Sequence, residues 1–306
     1  MIDASLLNEV LEESRHYLGK GNTADYIPAL ANVSGDNLGI AVCDLDGNII
    51  GAGDYQTPFT IQSISKILSL TMALDSSSDA DKEVWSRVGR NQSGDGFNSL
   101  VQVELENGIP RNPFINAGAL VIADILFSRF GNLQQGFLDL AIKLSGNPNM
   151  NYNKVVAESE LQFSARNASI AYLMKSFGNF HNNVECVLKD YFKFCSLNVT
   201  CEDLSKIFIY LANGGVCLQG SKVASKVRAK RINSLLATSG LYDGSGEFAF
   251  RIGVPGKSGV GGGIIAIFPR KMIVSVWSPE LDSYGNSLAG MAALERLSHK
   301  IGYSIY

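Results

Sequence analysis

Ser63 and Lys66 lie in Phe59-Thr-Ile-Gln-Ser63-Ile-Ser-Lys66, and nowhere else in the chain does a Ser stand three residues before a Lys. On a helix that spacing puts both side chains on one face, one turn apart. A Ser hydroxyl is a poor nucleophile until a base removes its proton, and a neutral Lys amine is such a base. Taken alone the pair reads as an ordinary polar decoration of a helix. A distant segment, Pro255-Gly-Lys257-Ser258-Gly259-Val260-Gly-Gly-Gly263, adds a second amine and a run of glycines. Glycines there let backbone approach a ligand without intervening side chains.

Other chemistries are poorly supplied. The three histidines (His16, His181, His299) are widely spaced, which argues against a histidine triad or a metal site. The five cysteines (Cys43, Cys186, Cys195, Cys201, Cys217) show no CxxC spacing and are expected to be reduced, buried thiols. Gly261-Gly-Gly263 precedes a strand-like run, not a helix, so it is not a phosphate cradle. Asp44-Leu-Asp46-Gly47 lacks the downstream Glu of a calcium loop. No cofactor is implied.

The elements that must position these groups read from both ends of the chain. Leu6, Leu7, Val10, Leu11 and Leu18 share a helical stripe over residues 3–18. Leu38–Cys43 and Asn48–Gly51 flank an Asp-Gly turn and predict a β-hairpin. Gly263–Phe268 and Met272–Trp277 flank Pro269-Arg-Lys271 and predict a second. Residues 64–238 are mostly helical in pattern: Asn116–Phe127 is a buried helix, and Ala165–Ser176, Val184–Phe194 and Cys201–Ala212 are amphipathic. Thr200 caps the last of these and Asn213-Gly214-Gly215 ends it. Asp75–Asp81 reads as a solvated loop, and Leu288–Ile301 as a final helix. The expected fold is therefore α/β of the α+β kind. An antiparallel central sheet is drawn from both chain ends (about 1–70 and 240–306) and flanked by helices, with a helical subdomain (about 71–239) in one catalytic domain, 1–306.

With 306 residues, 46% hydrophobic and a formal charge of -3, the chain can bury a large core and makes no electrostatic case for nucleic acid or an anionic membrane. No run approaches ~18 uninterrupted apolar residues, and the acidic start does not read as a signal peptide, so a cytoplasmic location is expected.

Further matches make the pattern specific. The Lys257-Ser258-Gly259 segment reads like the Lys-Ser/Thr-Gly element of serine β-lactamases and penicillin-binding proteins. Ala24-Asp-Tyr26-Ile-Pro-Ala-Leu30, Ile61-Gln62-Ser63-Ile-Ser-Lys66 and Arg111-Asn-Pro-Phe-Ile-Asn116-Ala-Gly-Ala119 come first. Glu158-Ser-Glu160, Arg166-Asn167, Asp190-Tyr191-Phe192 with Cys195-Ser196, and Gly240-Leu-Tyr242-Asp-Gly-Ser-Gly-Glu-Phe-Ala249 follow in order. Trp277-Ser-Pro-Glu-Leu-Asp282 with Gly285-Asn286-Ser287 completes the set. Through these the chain resembles the bacterial glutaminases of the serine β-lactamase-like superfamily over nearly its whole length. Two departures stand out. Gly256 replaces the family's usual Ala, a change expected to be mild, and Gln162-Phe-Ser-Ala165 replaces a usual Gly-Asp.

The resemblance implies a β-lactamase-like fold and hydrolysis of the side-chain amide of L-glutamine, with a homo-oligomer, dimer or tetramer, as the assembly. It implies Ser63 as nucleophile, Lys66 as base and Lys257 as a nearby cation, with Tyr26 or Tyr242 relaying a proton to ammonia. It gives Gln62, Asn116, Glu160, Asn167 and Tyr191 to the substrate's charged ends, alongside Ser63 and Tyr242, and the Val260 and Ser63 N–H groups to the oxyanion. Two other readings stay open: a β-lactamase or cell-wall peptidase, disfavoured by the lack of an export signal, and a non-catalytic glutamine binder, disfavoured by the intact Ser63, Lys66, Asn116 and Lys257.

Overall fold

Continuous apolar runs in the strands build a sheet that is covered on both faces. The computed structural model describes residues 2–94 and 96–306. Among them the strands are β1 (Gly39–Asp44), β2 (Ile49–Gly53), β3 (Phe59–Thr60), β4 (Asn198–Val199), β5 (Gly256–Ser258), β6 (Gly263–Phe268) and β7 (Met272–Trp277). The helices are α1 (Ala4–Ser14), α2 (Ser65–Asp75), α3 (Ala80–Arg87), α4 (Leu100–Leu105), α5 (Asn116–Arg129), α6 (Leu133–Ser145) and α7 (Lys154–Gln162). They continue with α8 (Ala165–Ser176), α9 (Val184–Cys195), α10 (Cys201–Ile207), α11 (Ile209–Ala212), α12 (Lys226–Ser239), α13 (Ser245–Ile252) and α14 (Leu288–Ile301).

The main sheet has the order β2-β1-β7-β6-β5 and every pairing in it is antiparallel. Both expected hairpins form. In the first, the Asp44 carboxylate accepts the N–H groups of Asp46 (3.0 Å) and Asn48 (2.9 Å), and Gly47 takes a φ of 86° that a side chain would resist. Ile40, Val42, Ile264, Val274 and Val276 face one way, against Leu7 and Leu11 of α1 and Leu294 and Leu297 of α14. Their neighbours Ala41, Cys43, Ile265, Ile267, Ile273 and Trp277 face the other way, into a larger core shared with α2, α5, α9 and α10. Each buried Val, Leu or Ile among them contributes about 1.5–3 kcal/mol. This is the α/β arrangement of the β-lactamase-like fold, with an antiparallel sheet flanked by helices.

The helical part is centred on α5, whose residues from Ala117 to Leu126 are all buried. It is locked by an ion pair inside that core. Arg87 Nη2 lies 2.5 Å from Asp124 Oδ2, and Asp124 also accepts the N–H groups of His181 (3.1 Å) and Asn182 (2.9 Å). Burial pushes the Asp124 carboxyl up, but Arg87 and those donors outweigh it and hold it below its ordinary value.

Several expectations are corrected. The helix expected over Cys201–Ala212 breaks at Phe208 into α10 and α11, although Thr200 and Asp203 do form a capping box at its start. The loop expected over Asp75–Asp81 is shorter, because Asp81 lies in α3 and pairs with Arg228 at 2.5 Å. Four cysteines are buried as expected, but Cys186 is exposed on α9. Val260, whose N–H the resemblance gives to the oxyanion, lies in the turn between β5 and β6 and not on a strand. No described helix is long and apolar enough to cross a membrane.

Candidate active site

Two backbone turns meet at Ser63. After β3 the chain makes a short 3-10 turn, Gln62–Ile64, that runs directly into α2. Ser63 therefore sits in that turn and Lys66 in the first turn of α2, not together on one regular helix. Gln62 adopts a φ of 49°, a left-handed conformation that costs a non-glycine residue about 1–3 kcal/mol. Its side chain is anchored, with Nε2 donating to Thr60 Oγ1 (3.2 Å) and Glu160 Oε1 (3.0 Å). The β5–β6 turn lies against this one. A Cβ on Gly259 would come within 2.8 Å of Ile61 O and 3.3 Å of Ser63 N, and one on Gly261 within 2.8 Å of Thr60 O. Glycine is required at both places because backbone meets backbone. The Ser63 and Val260 N–H groups thus belong to abutting turns, and neither donates to another group among the described residues.

Both lysines are buried and poorly solvated. Lys66 Nζ donates to Asn116 Oδ1 (2.7 Å) and Phe114 O (3.0 Å) rather than to Ser63. Burial lowers its pKa to about 8, with Cys195 and Glu160 pulling the other way. Lys257 Nζ donates to Ser258 O at 2.7 Å and lies 4.3 Å from the Tyr242 ring centroid. Burial first, and then the charge of Lys66, push its pKa well below the ordinary lysine value. Burial and the Lys66 charge both work against the charged form expected of Lys257. Tyr242 takes a φ of 55° in a second 3-10 turn, Tyr242–Gly244. Burial raises its hydroxyl pKa while the Ser63 hydroxyl pulls the other way. Its Oη makes no hydrogen bond of ordinary geometry, so the two hydroxyls are neighbours and not a formed pair.

A polar ring faces them. Glu160 projects from α7, Asn116 from α5, Asn167 from α8 and Tyr191 from α9. Asn116 would pass alone for a helix cap, but α5 has no side-chain cap; Asn112 Oδ1 accepts the N–H groups of Phe114 (2.9 Å) and Ile115 (3.1 Å) in the turn just before it. The Asn116 side chain instead links Lys66 to Asn167, donating to Asn167 Oδ1 at 2.9 Å. The changed segment 162–165 therefore leaves Asn167 in the site. Glu160 is buried, not the solvated charge that its sequence context alone suggests. Burial raises its pKa to about 7, with Gln62 and Lys66 offsetting part of the effect.

Every sequence-expected residue except Lys66 and Lys257 lines one cavity of about 230 Å³, and those two lysines are buried beside it. That volume falls below the ~300–1,000 Å³ of drug-sized pockets and suits a small polar molecule. A larger cleft of about 780 Å³ beside α13 and α14 gathers none of these groups. Sequence reasoning missed Phe97, Phe163 and Cys195 among the lining residues. The Phe97 ring lies 4.7 Å from that of Tyr242, and its loop is tied down by Arg166 Nε donating to Asn98 O at 3.0 Å. Only Arg166, inside a matched motif, gave any signal for this loop. The Gly256 departure is not mild here. A Cβ at that position would come within 2.6 Å of the Phe248 ring and 2.9 Å of Ile265 O.

Comparison with known proteins finds matches along nearly the whole chain. The glutaminase family model matches residues 21–306. A glutaminase of Shewanella loihica is 60% identical over 306 residues, covering 100% of both chains, and one of Shewanella baltica is 59% identical with the same coverage. A solved structure of a probable glutaminase from Bacillus subtilis complexed with 6-diazo-5-oxo-L-norleucine superposes with a TM-score of 0.89 at 34% identity, covering 100% of this chain and 99% of that one. The chain belongs to the glutaminase family.

Proposed function

We propose that the protein hydrolyses L-glutamine to L-glutamate and ammonia through a γ-glutamyl ester on Ser63. The carrying observation is the single cavity in which Ser63, the free N–H groups of Ser63 and Val260, and a ring of polar side chains converge. Ser63 Oγ attacks the amide carbon as the neutral form of Lys66, whose pKa burial lowers to about 8, takes its proton. The Ser63 and Val260 N–H groups receive the developing oxyanion. Tyr242, next to Ser63 and beneath the Lys257 amine, passes a proton to the departing nitrogen. Tyr26, about half exposed, lines the same cavity. Glu160 pairs with the substrate ammonium, while Asn116, Asn167 and Tyr191 hold its carboxylate, and Gln62 keeps Glu160 in place. Water then attacks the ester and releases glutamate.

The test is ammonia release from glutamine and from asparagine by the purified protein, with Ser63→Ala as the control. Glutamine turnover that disappears in Ser63→Ala, with little from asparagine, is the expected result. Turnover that survives the substitution refutes the nucleophile. Nitrocefin turnover without ammonia from glutamine would favour the β-lactamase reading instead, and calorimetric glutamine binding without ammonia release the non-catalytic one.

A further inference from the structure

The active-site cavity has a neighbour at its reacting end. A second cavity of about 600 Å³ shares three wall residues with it: Tyr26, Phe97 and Val260. These belong to the end where chemistry is proposed to occur. Phe97 packs on the Tyr242 ring, Tyr242 adjoins Ser63, and Val260 lies in the turn pressed against Ser63. The residues assigned to the substrate's charged end (Glu160, Asn116, Asn167, Tyr191) line the first cavity and not the second. Ammonia, as a leaving group, needs no chamber. A substituted amine does, and this one is lined by Leu281, Leu288 and Tyr284, with Lys20 and Asp282 also contributing. Apolar walls with two charged residues suit an aromatic or alkyl amine.

We propose that the protein also cleaves N-substituted γ-glutamyl amides, with the aryl or alkyl amine seated in this second cavity. The inference rests on the Ser63 acyl-enzyme reading. The Ser63 Oγ–carbon bond forms as the carbon–nitrogen bond breaks, and the serine proton ends on the departing amine nitrogen. Water then attacks the ester, giving free glutamate and restoring the serine hydroxyl. No oxidant, metal or further reactant is consumed.

The experiment uses γ-L-glutamyl-p-nitroanilide, following p-nitroaniline release, beside ammonia release from glutamine. Two substitutions fill the second cavity from separate segments, Ser283→Trp and Thr23→Trp; both residues line it and neither lines the first. The wild type is expected to release p-nitroaniline. Each tryptophan variant should lower kcat/KM for the anilide by roughly tenfold or more and leave that for glutamine within about twofold, since steric exclusion acts on the leaving group alone. Retained glutamine turnover also shows that the variants fold. Wild-type protein that hydrolyses glutamine but releases no p-nitroaniline overturns the proposal while leaving the glutaminase reading intact. So do tryptophan variants that process the anilide like wild type, or that lose both activities together. Glutamine turnover that persists in Ser63→Ala strikes the nucleophile assignment instead, and with it the route by which the anilide is cleaved.

Discussion

Replacing Glu160 by Gln separates the cost of burying a charge from the use made of it. The Glu160 carboxyl is raised from an ordinary 4.5 to about 7, chiefly by burial, with Gln62 and Lys66 offsetting part of that. Its folded-state pKa thus lies above its unfolded one. Below pH 4.5 both states hold the proton and the residue costs the fold nothing. As pH rises toward 7 the unfolded chain ionises first, and stability is lost. Above 7 the full difference applies, about 3 kcal/mol at ~1.4 kcal/mol per tenfold change in proton affinity. Glu160→Gln keeps the shape, and its amide oxygen can still accept from Gln62. The variant should match wild type in thermal stability near pH 4.5. Above pH 7 it should exceed wild type by up to ~3 kcal/mol, on the order of 5 °C in Tm. It should also lose roughly 10- to 100-fold in kcat/KM, mainly through KM, because a charge-assisted bond to the substrate ammonium is worth ~1.5–3 kcal/mol. Thermal melts of both proteins across that pH range decide the matter. A Tm difference that stays constant with pH, or a variant less stable than wild type above pH 7, refutes the desolvation argument.

Two further outcomes follow from the same site. Lys66 acts as base only when neutral, and its pKa is lowered to about 8, so kcat/KM for glutamine should fall about tenfold per pH unit below 8 and steepen below 7 as Glu160 takes up its own proton. A profile that is flat from pH 6 to 8 would remove Lys66 from the role. Gly256→Ala drives a methyl into the Phe248 ring beside Lys257; it should cost about 1–3 kcal/mol in denaturant unfolding, and Phe248→Leu in the same chain should recover much of that loss. An unchanged unfolding midpoint for Gly256→Ala would show that Phe248 yields freely.

What the sequence made legible was local or long in pattern. The Asp-Gly turn, the short apolar strand runs and the all-apolar stretch of α5 each carry their signal within a few residues. The site's ingredients were also readable, because Ser63, Lys66 and Lys257 are rare types in matched surroundings. What stayed hidden depends on distant neighbours. Nothing around residue 160 says that Gln62 will shield that carboxylate from water. Nothing around residue 256 says that the Phe248 ring will occupy the space of a methyl. The break at Phe208 leaves the amphipathic pattern of 201–212 intact, so periodicity cannot see it. Phe97 sits in a loop whose position comes from Arg166 and Tyr242, far off in the chain.

The strand order β2-β1-β7-β6-β5 puts β7 at the middle of the sheet, beside β1. During synthesis β1 leaves the ribosome with an apolar edge whose partner is still untranslated, and all of residues 45–271 must follow before that edge is covered. The helical core can assemble in the meantime, but Lys257 and Val260 arrive only with the last strands. Folding is therefore governed by a late, long-range closure, which makes it slow and leaves the nascent chain prone to self-association until that closure occurs.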